Sequence, residues 1–185
     1  MIRRAFCAVW PVPAVAESLA AWPLPGAGRA VTADLHLTLH FLGDLDSALS
    51  VRVAEALEDL PLAPFTLTLA RREFWPGPAA YVAVPVVFPA GLSDLHQLLG
   101  ARLERLVPAF ARRDEPPFRP HVTLGRGAPG GAIADIDCVP VDFPVAAVTL
   151  AGAAAALGTA VAGARYRRYQ TTPLGAAASR ELSGE

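Results

Sequence analysis

The sequence predicts an α+β fold built from two pseudo-equivalent lobes that face each other across a cleft. Two observations carry this expectation. The tetrapeptide His36-Leu37-Thr38-Leu39 returns 85 positions later as His121-Val122-Thr123-Leu124, so two of the four histidines stand in near-identical settings. Each copy also shares a context, with a helical pattern before it and a Phe-led apolar strand after it, at 65–70 and 143–151. Tyr81 and Tyr166 repeat the 85-residue interval. Two copies are too few for a solenoid, and facing lobes are the arrangement that brings both motifs to one place.

Taken in order, residues 2–10 read as a strand that ends at Pro11 and Pro13, and 14–22 as a short helix. The Pro- and Gly-rich run 23–28 is a loop. Residues 35–42 form the first motif strand, stopped by Gly43-Asp44, and 47–60 show helical spacing with Asp46 or Ser47 able to cap the start. The alternating run 65–70 and the run 81–87 flank a Pro-Gly-Pro turn as a hairpin-like pair. Residues 92–106 are an amphipathic helix, with His96 expected on its exposed side. A polar loop with Pro116-Pro117 leads into the second motif strand, 118–124. The stretch 125–137 is irregular, and 141–150 and 164–172 read as strands. We expect one domain over 1–174 and a flexible tail at 175–185.

A chain of 185 residues, 53% apolar and 18% charged, is a folded globular protein with a real core. Its net charge of -1 means that any phosphate recognition must be local. All 16 basic side chains are Arg. The lack of Lys removes a Walker-type phosphate Lys, a Schiff base and a lysyl-nucleotide intermediate, whereas Arg is the better bidentate phosphate clamp. Cys7 and Cys138 fit no ligand or redox spacing, so a cytoplasmic protein, monomeric by default, is expected. Arg3-Arg4 and the apolar residues after it resemble an export signal, but Pro11, Pro13 and Glu17 interrupt the run, and a strand is the better reading. The uncharged stretch 143–164 is mostly Ala and Gly and lacks the density of large apolar residues that drives insertion, so no membrane association is expected.

On a strand, His and Thr at i and i+2 stand about 7 Å apart on one face. There a hydroxyl can donate to an oxyanion while the imidazole handles a proton. Two such pairs supply a base, an acid and two neutral donors around a tetrahedral centre. That is the set needed to cleave a phosphodiester whose nucleophile and leaving group lie on opposite sides of phosphorus. Histidine suits both roles because its pKa lies near neutrality. Alternation places Leu35, Leu37, Leu39 and Phe41 on one face and His36, Thr38 and His40 on the other. His36 and His40 have the i, i+4 spacing of a helical zinc site, but on a strand they are about 13 Å apart and cannot share an ion. His40 reads as a cleft-rim residue and a candidate substrate contact. The glycine pattern 125–130 matches a dinucleotide-binding fingerprint, but Pro129 and Gly131 prevent the helix it needs. Strict alternation puts Arg119 on the His121 face and Arg126 on the opposite one.

The chain resembles the 2H phosphoesterase superfamily, and within it the RNA 2',3'-cyclic phosphodiesterases once named 2'-5' RNA ligases. The resemblance covers nearly all of residues 2–174. It rests on Arg4-Ala5-Phe6-Cys7-Ala8-Val9, on His36-Leu37-Thr38-Leu39-His40-Phe41-Leu42-Gly43, on Phe118-Arg119-Pro120-His121-Val122-Thr123-Leu124-Gly125-Arg126, and on Gly163-Ala164-Arg165-Tyr166. It implies a bilobal fold with two antiparallel-rich sheets flanking a central groove, no metal and no cofactor. It implies hydrolysis of a 2',3'-cyclic phosphate at an RNA end to a 2'-phosphate, with His36 as proton donor, His121 as proton acceptor, and Thr38, Thr123 and Arg126 on the phosphate. Arg126 stands five residues after the second motif His, as in the family, which favours a bend at Gly125. Arg119 and Phe6 are further candidate contacts. Where a Ser is common in the closing segment, this chain has Ala153 to Ala156. The alternatives are a small cyclic nucleotide or ADP-ribose cyclic phosphate as substrate, RNA ligation as the reverse reaction, and a non-catalytic RNA-end-binding module.

Overall fold

The structure is a computed structural model that describes residues 1–107, 117–127, 135–154 and 163–175. Its elements are β1 (Ile2–Val9), α1 (Pro13–Ala20), β2 (Gly28–Arg29), a 3-10 turn (Thr32–Asp34), β3 (Leu37–Leu45), α2 (Ser47–Ala56), β4 (Phe65–Trp75), β5 (Ala80–Pro85), α3 (Ala90–Glu104), β6 (Val122–Arg126), β7 (Ile136–Val145), β8 (Ala147–Ala153) and β9 (Tyr166–Pro173). Residues 108–116 of the expected polar loop, 128–134 of the irregular stretch 125–137, 155–162 of the uncharged stretch 143–164 and 176–185 of the tail 175–185 lie outside the described residues. Among the described residues, no helix is long and apolar enough to cross a membrane.

The strands run in the order β7-β4-β5-β6-β3-β1-β8-β9, every pair antiparallel, with β2 added against β6. Two four-stranded halves are evident, one on each side of the junction between the two motif strands. Among the described residues, that junction is made by the pair Leu37 and Val122. The chain order forces this array to curl. Six strand spacings separate β7 from β8 in the ladder, about 29 Å if the sheet were flat, yet a single residue, Ala146, links them. Such a connection closes only if the two halves fold toward each other, which puts the motif strands at the bottom of a cleft.

Alternation on β1 shows how the two faces divide. Ala5, Cys7 and Val9 enter the main core with Leu92, Leu95, Leu99 and Leu103 of α3, while Phe6 and Ala8 form a second cluster with Ala151. Trp10 and Tyr166 pack on that second cluster, which floors the cleft. Cys7 is fully enclosed, and burial pushes its thiol up to about 12, so it is an inert core residue. The Asp46 carboxylate accepts the Leu49 N–H at 2.7 Å and caps α2, a contact worth about 1 kcal/mol.

Several element boundaries differ from expectation. The run 141–150 splits into β7 and β8: its core-facing residues change from Val141, Phe143 and Val145 to Val148 and Leu150 across Ala146, where its pairing partner also changes from β4 to β1. The 65–70 strand continues to Trp75 through Arg71, Arg72 and Glu73, whose charges disguise it. Arg72 is nonetheless buried; it donates to the Pro23 carbonyl and lies over the Tyr81 ring at 4.9 Å. With Tyr81, whose hydroxyl donates to Pro25 O at 3.0 Å, it anchors the 23–27 loop that delivers β2. Tyr81 is thus buried in β5, beside a motif strand, whereas Tyr166 begins the edge strand β9. Their equal spacing does not reflect equivalent places in the two halves.

Candidate active site

The motif strands begin later than the sequence suggests, at Leu37 and Val122, so each motif His is the residue just before its strand. The same backbone contact holds both. His36 Nδ1 donates to the carbonyl of Asp34 at 2.6 Å, and His121 Nδ1 donates to the carbonyl of Arg119 at 2.8 Å. A carbonyl can only accept, so Nδ1 carries the proton in each neutral ring and Nε2 is left as the nitrogen that titrates. His36, Thr38, His121 and Thr123 all line one cleft of about 300 Å³.

The two strands share a second feature that periodicity alone misses. Cys7 pairs with His40 and Ala8 with Thr38, so Leu39 is an extra residue in β3. Tyr81 pairs with Gly125 and Val82 with Thr123, so Leu124 is the corresponding extra residue in β6. Each bulge falls three residues after the motif His and reverses the side-chain alternation beyond it. On β6 it brings Arg126 into the cleft, against strict alternation and close to the bend expected at Gly125. On β3 it brings Phe41 to the cleft and turns His40 away from it. Gly125 is required here because a Cβ would meet Gly28 O at 2.5 Å and Leu24 Cδ1 at 2.9 Å, so β2 can lie against β6.

His40 is therefore a core residue rather than a rim residue. It is 4% exposed, its Nε2 donates to His96 O at 2.8 Å, and its ring stacks on His96 at 4.1 Å. His96 is not on the exposed side of α3 either, since its ring also stacks on Phe118 at 3.9 Å. Arg119 does not line the cleft. Its guanidinium lies over the Trp75 ring at 4.3 Å and pairs with Glu73 at 3.7 Å. Phe6 lies at the cleft floor, nearly fully buried, with its ring centroid 4.9 Å from that of His36.

The imidazoles have unlike surroundings. His36 stacks on Trp10 at 4.9 Å and meets the edge of Tyr166 at 5.1 Å, which together with Phe6 makes an aromatic box. Burial pushes its pKa down to about 4, against the opposing pull of the Asp34 carbonyl and carboxylate; the nearby His121 adds to the depression. His121 packs on Trp75 at 4.4 Å. Burial lowers its pKa too, opposed by the Arg119 carbonyl and reinforced by the charges of Arg119 and Arg126. Trp75 is itself pinned, because its indole N–H donates to Glu73 Oε2 at 2.9 Å. The motif pattern gave Trp10, Asp34, Tyr166, Arg29 and Arg165 no place at the site: Asp34 and Arg29 precede His36 outside its alternating run, and Trp10, Arg165 and Tyr166 come from segments distant in sequence.

Two matched His-x-Thr motifs on one cleft, between antiparallel half-sheets, define a two-histidine phosphoesterase. The family model of the 2'-5' RNA ligase superfamily matches residues 11–151, and the chain belongs to that family of 2H phosphoesterases. Solved structures agree in fold. E. coli LigT complexed with 3'-AMP superposes with a TM-score of 0.77 at 23% identity, covering 94% of this chain and 99% of that one. TT0787 of Thermus thermophilus gives 0.72 at 25% identity over 93% and 98%. A structure described as a phosphoesterase gives 0.74 at 23% over 93% and 98%. No curated protein matches the sequence.

Proposed function

We propose that this protein hydrolyses 2',3'-cyclic phosphate ends of RNA to 2'-phosphomonoesters, by metal-independent acid and base catalysis from His36 and His121. The observation that carries the reading is the matched pair of imidazoles. Each is oriented by a carbonyl two residues upstream, each leaves Nε2 to exchange a proton, and each has a Thr hydroxyl two residues on in the same cleft. His121 takes a proton from the attacking water and His36 gives one to the departing 3' oxygen, so each turnover exchanges their protonation states. Thr38 and Thr123 donate to the non-bridging oxygens, and Arg126 offsets the charge that builds on them. E. coli LigT, similar in fold, has been crystallised with 3'-AMP, ATP and NADP+, which supports a nucleotide ligand for this cleft. With a 5'-hydroxyl of RNA in place of water, the same groups would open the cyclic phosphate to a 2'-5' diester, the reverse of 2'-5' diester cleavage. His121 takes the hydroxyl proton, the P–O3' bond breaks and His36 protonates the 3' oxygen, with no lysyl adduct in a chain that has no Lys.

Product analysis on an oligonucleotide ending in a 2',3'-cyclic phosphate tests the reading. A 2'-phosphate product, formed equally fast with chelator present, is the expected result. A 3'-phosphate product, loss of activity with chelator, or turnover of small cyclic nucleotides or ADP-ribose cyclic phosphate in place of RNA would each overturn part of it. Tight binding without turnover would favour a non-catalytic end-binding module.

Both histidines titrate below the ordinary 6.5 in the free protein. The acid limb and the base limb of the kcat/KM profile report free-enzyme groups, so its optimum should fall below pH 6.5. An anionic phosphate in the cleft favours the imidazolium, so the kcat profile should lie at higher pH than the kcat/KM profile. A kcat/KM optimum above pH 7 would contradict the burial of the pair.

Trp75 acts as a positioning residue for His121. Trp75→Ala should lower kcat about 10-fold with little change in KM, because the ring loses its support and its alignment. Trp75→Phe should restore most of that loss. A KM effect alone, or no rescue by Phe, would remove Trp75 from this role.

A further inference from the structure

The cleft carries more positive charge than one reacting phosphate requires. Arg29, Arg126 and Arg165 all line it, in a chain whose net charge is -1. Among the described residues, no carboxylate lies within ion-pair distance of any of the three. Among the described residues, Asp34 is the carboxylate that lines the cleft, and its oxygens are occupied by backbone. They accept the Arg165 N–H at 2.9 and 3.1 Å and the Tyr166 N–H at 3.3 Å. The same residue, through its carbonyl, orients His36. One buried Asp thus fixes the Arg165 backbone relative to the reacting centre while leaving the Arg165 guanidinium exposed at the cleft.

Arg29 approaches from the other half of the sheet. β2 pairs Gly28 with Arg126 and Arg29 with Gly125. One terminal nitrogen of Arg29 donates to the Ala20 and Trp22 carbonyls at the end of α1, at 2.5 and 2.8 Å, which holds the side chain in place and leaves its other N–H groups for a ligand. Two cations, Arg29 held through its guanidinium and Arg165 through its backbone, thus border a cleft of about 300 Å³, a volume at the lower end of small-molecule sites. Guanidinium groups of this kind suit phosphate oxygens.

We propose that Arg165 and Arg29 form a second phosphate subsite, which takes a phosphate on the 5' side of the terminal nucleoside while the histidines act on its 2',3'-cyclic phosphate. The proposal rests on the hydrolytic reading above and narrows it to substrates with at least two phosphates. That second phosphate is either the next diester of an RNA strand or the 5'-phosphate of a mononucleotide.

Three probes separate these cases: adenosine 2',3'-cyclic phosphate, its 5'-phosphorylated form, and the dinucleotide ApA ending in a 2',3'-cyclic phosphate. In the wild-type protein kcat/KM should be higher for the two probes that carry a second phosphate. Arg165→Gln should shrink that advantage about 10-fold, the effect of losing one charged hydrogen bond. Shrinkage for both probes assigns the subsite to any 5'-side phosphate, and shrinkage for ApA alone assigns it to the diester of a strand. Equal loss on all three probes, or no loss on any, overturns the proposal. If the wild-type protein turns over none of them, the hydrolytic reading falls and binding decides the subsite. Calorimetry should then show adenosine 3',5'-bisphosphate binding tighter than adenosine 3'-monophosphate, with the difference reduced about 10-fold by Arg165→Gln. Equal affinities in the wild-type protein would overturn the subsite independently of catalysis.

Discussion

Replacing His121 by Asn should lower turnover of a 2',3'-cyclic phosphate end by about 100-fold or more and leave the fold intact. Asn can still donate to the Arg119 carbonyl that receives His121 Nδ1 at 2.8 Å, but it cannot take a proton from water. General acid or base assistance is worth about 10²–10⁴-fold, so the loss should appear in kcat. His36→Asn should cost a similar factor. It empties part of the box formed by Trp10, Phe6 and Tyr166, and a circular dichroism melt would show any accompanying loss of stability. The double variant should be hardly worse than either single one, because removing one member of a proton-exchanging pair already stops the cycle. Full activity in His121→Asn would end the two-histidine mechanism, and strictly multiplicative losses would argue that the rings act separately.

Arg126→Gln should reduce kcat about 100-fold, the scale of removing one preorganised donor to a developing oxyanion. The basis is position. The bulge at Leu124 turns Arg126 into the cleft, and one of its terminal nitrogens donates to the Pro78 carbonyl at 3.1 Å. That tether holds the guanidinium in place before substrate arrives, so little reorganisation is needed in the transition state. Arg126→Lys should recover only part of the loss, since an ammonium supplies charge without the planar fork. A change in KM with kcat preserved would mean that Arg126 binds substrate and transition state equally, and the charge-stabilising role would be lost.

Which residues meet at the centre of the cleft was largely legible in the sequence. His36, Thr38, His121 and Thr123 appear as a repeated local pattern, and the resemblance to 2H phosphoesterases added Arg126 on its distance from His121. Features of this kind are readable because they are local: a motif and its flanks lie on one short strand, where spacing translates directly into geometry. The same rule misled at His40, Phe41 and Arg126. Leu39 and Leu124 each insert an extra residue, and neither looks different from an ordinary inward-facing Leu. A bulge is a property of the pairing between two strands, so it leaves no mark in the periodicity of one.

The supporting groups were illegible for a related reason. Asp34, Trp10, Trp75 and Tyr166 matter through contacts with residues brought from other strands, or through a backbone carbonyl that every residue possesses. The division at Ala146 is the clearest case, since the one-residue slip in the apolar pattern from Phe143 and Val145 to Val148 and Leu150 does not say that the chain passes there from one half of the sheet to the other. The residue types that can do acid and base chemistry, and their spacing, were thus written in the chain before it folded. Which side chains join them in the cleft was settled by strand pairing and by the curl of the sheet, because those depend on long-range contacts that no local window of sequence contains.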